Sequence, residues 1–113
     1  MVVYRIDDRV FFANASYVKG RVQEAVRGAP TPTRWLVVDG EAITHIDVAG
    51  LGAIDELTRD LARARVTLVV ARLKSEMRQR LDEGGVTASI GPTRFYPTVR
   101  AAVAACRAED GLA

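Results

Sequence analysis

Residues 35–54, Trp-Leu-Val-Val-Asp-Gly-Glu-Ala-Ile-Thr-His-Ile-Asp-Val-Ala-Gly-Leu-Gly-Ala-Ile, predict a buried strand, a polar loop and the start of a helix. A short apolar run that ends at the turn residues Asp39 and Gly40 indicates the strand. Apolar residues then recur at intervals of three or four, which is typical of an amphipathic helix; they are Leu51, Ile54, Leu57 and Leu61. Asp47 directly precedes this helix, so its carboxylate is placed to accept hydrogen bonds from the first-turn N–H groups. A helix N-terminus at the end of a strand is a common binding place for anions.

The residues before this stretch predict a hairpin followed by a helix. Val2–Ile6 and Val10–Ala13 are apolar runs separated only by Asp7–Arg9. Because such a short link joins neighbouring strands, the two runs are expected to pair antiparallel. Asn14 or Ser16 can cap the next helix, whose valines recur at intervals of four residues. A loop with two prolines ends it, since proline cannot continue a helix.

The residues after the stretch predict two further strands and two further helices. Val66–Ala71 is rich in β-branched residues, which is typical of a strand covered on both faces. Ser75 is expected to cap a helix that ends at Gly84. Val86–Ile90 is predicted to form a short last strand, and Thr98 to cap the final helix.

These patterns together predict an α/β fold. It consists of a mixed, mostly parallel sheet of 4–5 strands with an N-terminal antiparallel hairpin and about four helices. Right-handed crossovers place the helices on the faces of the sheet. The chain has 113 residues, enough for one core, and no repeat or internal boundary divides it. Residues 1–113 are therefore predicted to be a single domain.

Composition excludes several classes of function. The 16 basic and 14 acidic residues are interspersed, so no segment resembles a nucleic-acid-binding arm and no nucleic-acid partner is expected. Cys106 is the only cysteine, so no intrachain disulfide can form. The apolar runs fall far short of the roughly 20 residues that a spanning helix needs, so no direct membrane insertion is expected.

Catalysis and metal binding also lack support in the sequence. His45 is the only histidine, and no cysteine lies near it. A metal site is therefore not expected, because a set of ligands is missing. No serine or cysteine is spaced with His45 as in a catalytic triad. The chain is accordingly predicted not to be an enzyme.

The segment Asp47–Gly50, following a buried strand, resembles the signature of STAS domains (sulfate transporter and anti-sigma factor antagonist). In the regulatory branch of that family, a serine phosphorylated by a partner kinase stands just before the glycine. This chain has Ala49 there, and alanine carries no hydroxyl. The resemblance therefore favours the other branch, the domains of bacterial sulfate-permease (SulP) family anion transporters. Phe11–Ala15 resembles the opening of that transporter-linked form, and Phe95–Val99 resembles its end.

The resemblance implies that the chain is the C-terminal cytoplasmic part of a longer membrane transporter. It would be a regulatory or interaction domain at the cytoplasmic face of the cell membrane. Its expected partner is the transmembrane domain of its own transporter, and a weak homodimer is also implied. The alternative is a free-standing protein-interaction switch, similar to an anti-sigma antagonist, that cannot be phosphorylated at Ala49.

A ligand site is expected outside the carboxyl ends of the parallel strands, as in other open α/β sheets. The loops there supply backbone N–H groups, hydroxyls, an amide and two cations. The candidate residues are Asn14, Thr44, Asp47, Val48, Ala49, Gly50, Arg72, Lys74 and Ser75. Bacterial transporter-linked STAS domains bind guanine or adenine nucleotides as a class, so the resemblance implies GDP, GTP or ATP as ligand, with no required cofactor. A purely structural role also remains open, in which Asp47 only caps its helix and Gly50 only permits close packing.

Overall fold

The computed structural model describes residues 1–6, 15–29 and 33–111. Its elements follow one another as β1 (Val2–Arg5), α1 (Ala15–Arg27), β2 (Trp35–Asp39), α2 (Val48–Arg63), β3 (Thr67–Ala71), α3 (Ser75–Glu83), α4 (Val86–Ile90), β4 (Phe95–Tyr96) and α5 (Val99–Glu109). The four strands lie in chain order, and each of the three pairings is parallel. The predicted α/β fold with a mostly parallel sheet is confirmed.

Helices cover both faces of the sheet, and the alternation of side chains along β2 and β3 divides the core in two. On one face, Leu36 and Val38 belong to a cluster with buried residues of α1, α2, α3 and α4. On the other face, Val37 and Val69 pack with the buried residues Ala102 and Cys106 of α5. Because each central strand is buried on both sides, its sequence is a continuous apolar run.

The C-terminal third differs from the prediction at residues 86–90. This segment forms the short helix α4, whereas the sequence predicted a strand there. Val86 and Ile90 are four residues apart and both are buried, which suits one face of a helix. Gly85, at φ 77°, turns the chain directly from α3 into α4. The fourth strand of the described sheet is instead Phe95–Tyr96.

Two of the four predicted helix caps agree with the structure. Asp47 accepts a hydrogen bond from the Gly50 N–H at 2.8 Å, and Thr98 accepts one from Ala101 at 2.9 Å. The prediction for Ser75 is wrong, because Ser75 is the first residue of α3. Lys74 occupies the capping position, and its side chain makes no capping hydrogen bond. For α1, Ser16 is wrong as a cap because it is the second residue of the helix, and the alternative Asn14 lies outside the described residues.

The second strand of the predicted hairpin, Val10–Ala13, lies outside the described residues, and so does Asn14. Both therefore stay predictions. The first strand, β1, pairs in parallel with β2, from Val2 opposite Leu36 to Arg5 opposite Asp39. No helix in the described part of the chain is long and apolar enough to cross a membrane.

Candidate functional site

The loops that follow β2 and β3 leave the sheet side by side. Asp39 at the end of β2 is paired in register with Ala71 at the end of β3. The next residue, Gly40, donates its N–H to the Ala71 carbonyl at 2.8 Å. A Cβ at Gly40 would lie only 3.0 Å from Leu73 Cδ1, so a residue without a side chain lets the loops approach. Any ligand at this edge of the sheet would meet both loops together.

A buried carboxylate and an arginine form the centre of this edge. Arg72 donates from Nε to Asp39 Oδ1 at 3.0 Å and from Nη2 to Asp39 Oδ2 at 2.5 Å. These hydrogen bonds hold the pKa of Asp39 below its ordinary value, while burial acts in the opposite direction. The same pairing raises the pKa of Arg72. Arg72 has φ 59°, a left-handed conformation that is uncommon for a residue with a side chain.

Glu41 receives contacts from both cations of the neighbouring loop. Its carboxylate forms an ion pair with Nη1 of Arg72, and its backbone carbonyl accepts a hydrogen bond from the ammonium of Lys74. Its own N–H donates to Asp39 Oδ1 at 3.1 Å. The two cations that the sequence assigned to a ligand are therefore engaged with the chain's own oxygens.

The start of α2 presents a different set of groups. Thr44 and His45 in the preceding loop are exposed, and so is Val48, at 81%. Ala49 is half-buried, and Gly50 is buried against the core. The first-turn N–H groups of a helix have no partner within the helix itself. The Asp47 carboxylate accepts a hydrogen bond from one of them, the N–H of Gly50. This helix start combines polar backbone with an exposed apolar side chain.

Arg80, on α3, positions the loop before α2. Its Nε and Nη2 donate to the Ile46 carbonyl at 3.0 and 2.7 Å. The carbonyl precedes Asp47, so the arginine fixes the backbone next to the cap. Sequence reasoning missed this residue, because a contact across 34 positions leaves no local pattern.

Ser75 lies beside a separate cleft of about 300 Å³ between the start of α3 and β4. Its lining residues are Val70, Leu73, Ser75, Arg78, Phe95, Tyr96 and Pro97. The Arg78 guanidinium lies 3.8 Å from the centroid of the Phe95 ring. Of the predicted site residues, the structure thus brings Arg72 and Lys74 together at Glu41, leaves Thr44–Gly50 at the start of α2, and places Ser75 at this cleft.

Neither a metal-binding cluster nor an accessible cysteine is present among the residues that the structure describes. Within residues 1–6, 15–29 and 33–111, no three or more His, Cys, Asp and Glu side chains lie close enough to share a metal ion. Cys106, on α5, is buried against the sheet, and that burial raises the pKa of its thiol. A raised pKa disfavours the thiolate, which is the nucleophilic form.

Comparison with known proteins identifies relatives along nearly the whole chain. The family profile of the STAS domain matches residues 1–102. Sulfate transporter 3.2 of Arabidopsis thaliana is 31% identical over 94% of this chain and 18% of its own length. A probable sulfate transporter of Mycobacterium tuberculosis is 32% identical over 95% of this chain and 19% of its own length. The chain thus spans less than one fifth of each of these curated relatives.

A solved structure supports the same assignment at the level of the fold. The STAS domain of a SulP transporter from Vibrio cholerae superposes with a TM-score of 0.79 at 18% identity. That superposition covers 99% of this chain and 84% of the Vibrio chain. Sequence profile, relatives and fold agree, and the chain belongs to the STAS domain family.

Proposed function

We propose that this STAS domain is the regulatory and interaction domain of a sulfate-permease-type anion transporter, at the cytoplasmic face of the membrane. The observation that carries the proposal is that sulfate transporters match nearly all of this chain with less than one fifth of their own length. Ala49, which lacks a hydroxyl, argues against a switch phosphorylated at that position. The expected partner is the transmembrane domain of the same transporter.

An incompletely covered part of the sheet supports docking. On β1, Val2 and Tyr4 face the core, whereas Val3 faces the side that α5 covers. In the described residues α5 packs on β2, β3 and β4, and Val3 remains 49% exposed. A half-exposed apolar residue at the margin of the described sheet gains free energy when a partner buries it. The Val3 side of β1 is therefore the proposed contact with the transmembrane domain.

Transport by the full-length transporter tests this contact. We expect Val3→Asp to change anion uptake into proteoliposomes, because the substitution places a charge in the contact. The matched control is Ala104→Asp, which adds the same charge at an exposed position of α5. Deletion of the whole domain should have at least the effect of Val3→Asp. If deletion left folding, targeting and uptake unchanged, a regulatory role would be excluded.

We further propose a nucleotide, GDP, GTP or ATP, as ligand at the start of α2. The exposed Thr44 and the first-turn N–H groups of a 16-residue helix favour it, since a helix N-terminus attracts phosphate. Amide chemical-shift mapping of the labelled domain tests the site. Saturable shifts at residues 44–50 would support it, and unchanged spectra at millimolar nucleotide would refute it.

The free-standing interaction switch is the competing proposal. It predicts a stable complex with a soluble partner in the absence of any transporter. Weak self-association, which the transporter proposal allows, is measured by sedimentation of the domain over a range of concentrations. A transmembrane segment encoded in the same reading frame would decide against the free-standing switch.

A further inference from the structure

Glu41, in the loop after β2, contacts both cations of the loop after β3. Arg72 binds it through Nη1, and Lys74 reaches the carbonyl of the same residue. Two cations from one loop thus converge on one residue of the other. Convergent Arg and Lys side chains are the groups that bind phosphate in other proteins.

The two carboxylates that hold Arg72 differ in how easily they can be displaced. Asp39 is 8% exposed, is bound through two nitrogens of the guanidinium, and also accepts a hydrogen bond from the Glu41 N–H. Glu41 is 51% exposed and uses only the remaining nitrogen of the guanidinium. Exposed ion pairs are weak, whereas buried carboxylates with several donors are held strongly. Asp39 therefore fixes the guanidinium, and Glu41 can leave it.

The backbone supports this arrangement. Arg72 adopts φ 59°, and its N–H donates to the Tyr96 carbonyl at 3.0 Å. The left-handed turn directs the side chain back across the end of the sheet towards Asp39. A conformation of this kind persists only where the surrounding structure enforces it. The guanidinium is accordingly pre-oriented, with one edge on Asp39 and the other directed at Glu41.

We infer that Glu41 acts as an internal competitor that gates a phosphate site formed by Arg72 and Lys74. This phosphate site is additional to the nucleotide site proposed at residues 44–50, and the inference rests on that proposal only for its biological meaning. The ligand chemistry is a phosphate group, free or carried by a nucleotide. Binding moves the Glu41 side chain into solvent, and the phosphate takes over the contact to Nη1 of Arg72. It also accepts a hydrogen bond from Lys74, whose ammonium has donors besides the one directed at the Glu41 carbonyl. Asp39 stays paired throughout.

Titration of the domain with inorganic phosphate, followed by amide chemical shifts, tests the gate. Glu41→Gln removes the competing charge, and we expect the dissociation constant to fall about fivefold, with shifts at residues 72–74. Glu76→Gln is the matched control, since Glu76 is exposed on the first turn of α3 and its removal changes the net charge equally. We expect the control to change affinity less than about twofold. Circular dichroism verifies that each variant is folded.

A second variant makes the test specific to the two cations. In the Glu41→Gln background, Lys74→Gln should abolish the gain in affinity, and Lys74 is exposed enough to be replaced without unfolding. The gate is refuted if Glu41→Gln binds phosphate as wild type does, if Glu76→Gln gives an equal gain, or if the gain survives Lys74→Gln.

A parallel titration with GDP separates this inference from the proposed nucleotide site. If wild type binds GDP at residues 44–50 and Glu41→Gln changes neither GDP nor phosphate affinity, the nucleotide proposal stands and the gate falls. If wild type binds no nucleotide but Glu41→Gln binds phosphate at residues 72–74, the gate stands and the nucleotide proposal falls.

Discussion

A hydrogen bond between the start of β2 and the end of α5 gives the most quantitative prediction for this domain. Trp35 is buried, and its indole Nε1 donates to Asp110 Oδ2 at 2.8 Å. The other oxygen of Asp110 lies 2.8 Å from the Arg34 guanidinium, which is largely exposed. Asp110→Ala removes both contacts. Asp110→Asn keeps one oxygen acceptor for the indole and replaces the other oxygen by an amide NH2, so that only the ion pair with Arg34 is lost.

The structure sets the expected magnitudes of the two variants. An indole N–H left buried without an acceptor costs about 1–3 kcal/mol. The pair with an exposed arginine contributes only about 0–1 kcal/mol. We therefore expect Asp110→Ala to lower the free energy of unfolding by about 2 kcal/mol, and Asp110→Asn by about 0.5 kcal/mol. For a domain of this size, the first value corresponds to a fall in Tm of roughly 10 °C.

Urea unfolding monitored by circular dichroism measures both values, with Trp35→Phe as the background that completes a double-mutant cycle. In that background no indole N–H exists, so Asp110→Ala should cost about as little as Asp110→Asn does in wild type. Tryptophan fluorescence provides a second probe in the variants that retain Trp35. The reasoning fails if Asp110→Asn is as damaging as Asp110→Ala, or if the cost of Asp110→Ala is the same with Phe at position 35.

Three further predictions address the cap, the core and the strand-end carboxylate. Asp47→Ala should lower the free energy of unfolding by about 1 kcal/mol, because the Gly50 N–H loses its acceptor. Asp47→Ser should keep most of the stability of wild type in the same urea assay, because serine can also cap a helix. Val38→Ile should raise the free energy of unfolding by up to about 0.8 kcal/mol, since Val38 lines an apolar cavity of about 40 Å³ that can take one methylene. A loss of stability would mean that the cavity cannot accommodate the added methylene. The pKa of Asp39 is depressed, chiefly by hydrogen bonds from Arg72, so its contribution to stability is present above the ordinary pKa of 3.8 and is lost as pH falls through the lower folded value. Acid unfolding of Arg72→Met should lack this contribution, and its stability relative to wild type should converge below pH 3.8; a constant difference at every pH would contradict the assignment.

The sequence predicted the central elements well because their signals are local. The bounds of β2 and the start of α2 follow from an apolar run, a turn and a capping aspartate within 15 residues. Residues 86–90 were mistaken for a strand because five residues with two apolar ends fit either period. The turn from α3 into α4 at Gly85 decides between a strand and a helix at residues 86–90, and this turn depends on the packing of α3.

The structure brings only some of the residues predicted for the candidate site together, and it shows partners that the sequence did not reveal. The ends of β2 and β3 lie side by side, with Asp39 in register with Ala71. Residues 44–50 lie at the start of α2 instead, and Ser75 lines a separate cleft. The sequence supplied the cations Arg72 and Lys74 but not their partners, because both are engaged across 33 positions. Arg80 shows the same limitation, since its contact with the Ile46 carbonyl exists only after α3 has packed. A basic residue identified in a sequence can therefore already be paired with an oxygen of the same chain in the folded protein.

Strand β1 brings the proposed docking surface and the strand-end carboxylate close together. Val3 pairs in register with Val37, and two residues further on Arg5 pairs with Asp39. The charge of Arg5 contributes to lowering the pKa of Asp39, so a shift of β1 changes the field at the carboxylate that fixes Arg72. Allosteric coupling between two sites typically amounts to only about 1–3 kcal/mol. Two neighbouring sites are not coupled merely because they are close. Because β1 contacts both sites, however, binding at either one can shift the position of this strand. If the domain regulates its transporter as proposed, coupling of the two sites requires no moving loop between them, because β1 contacts both.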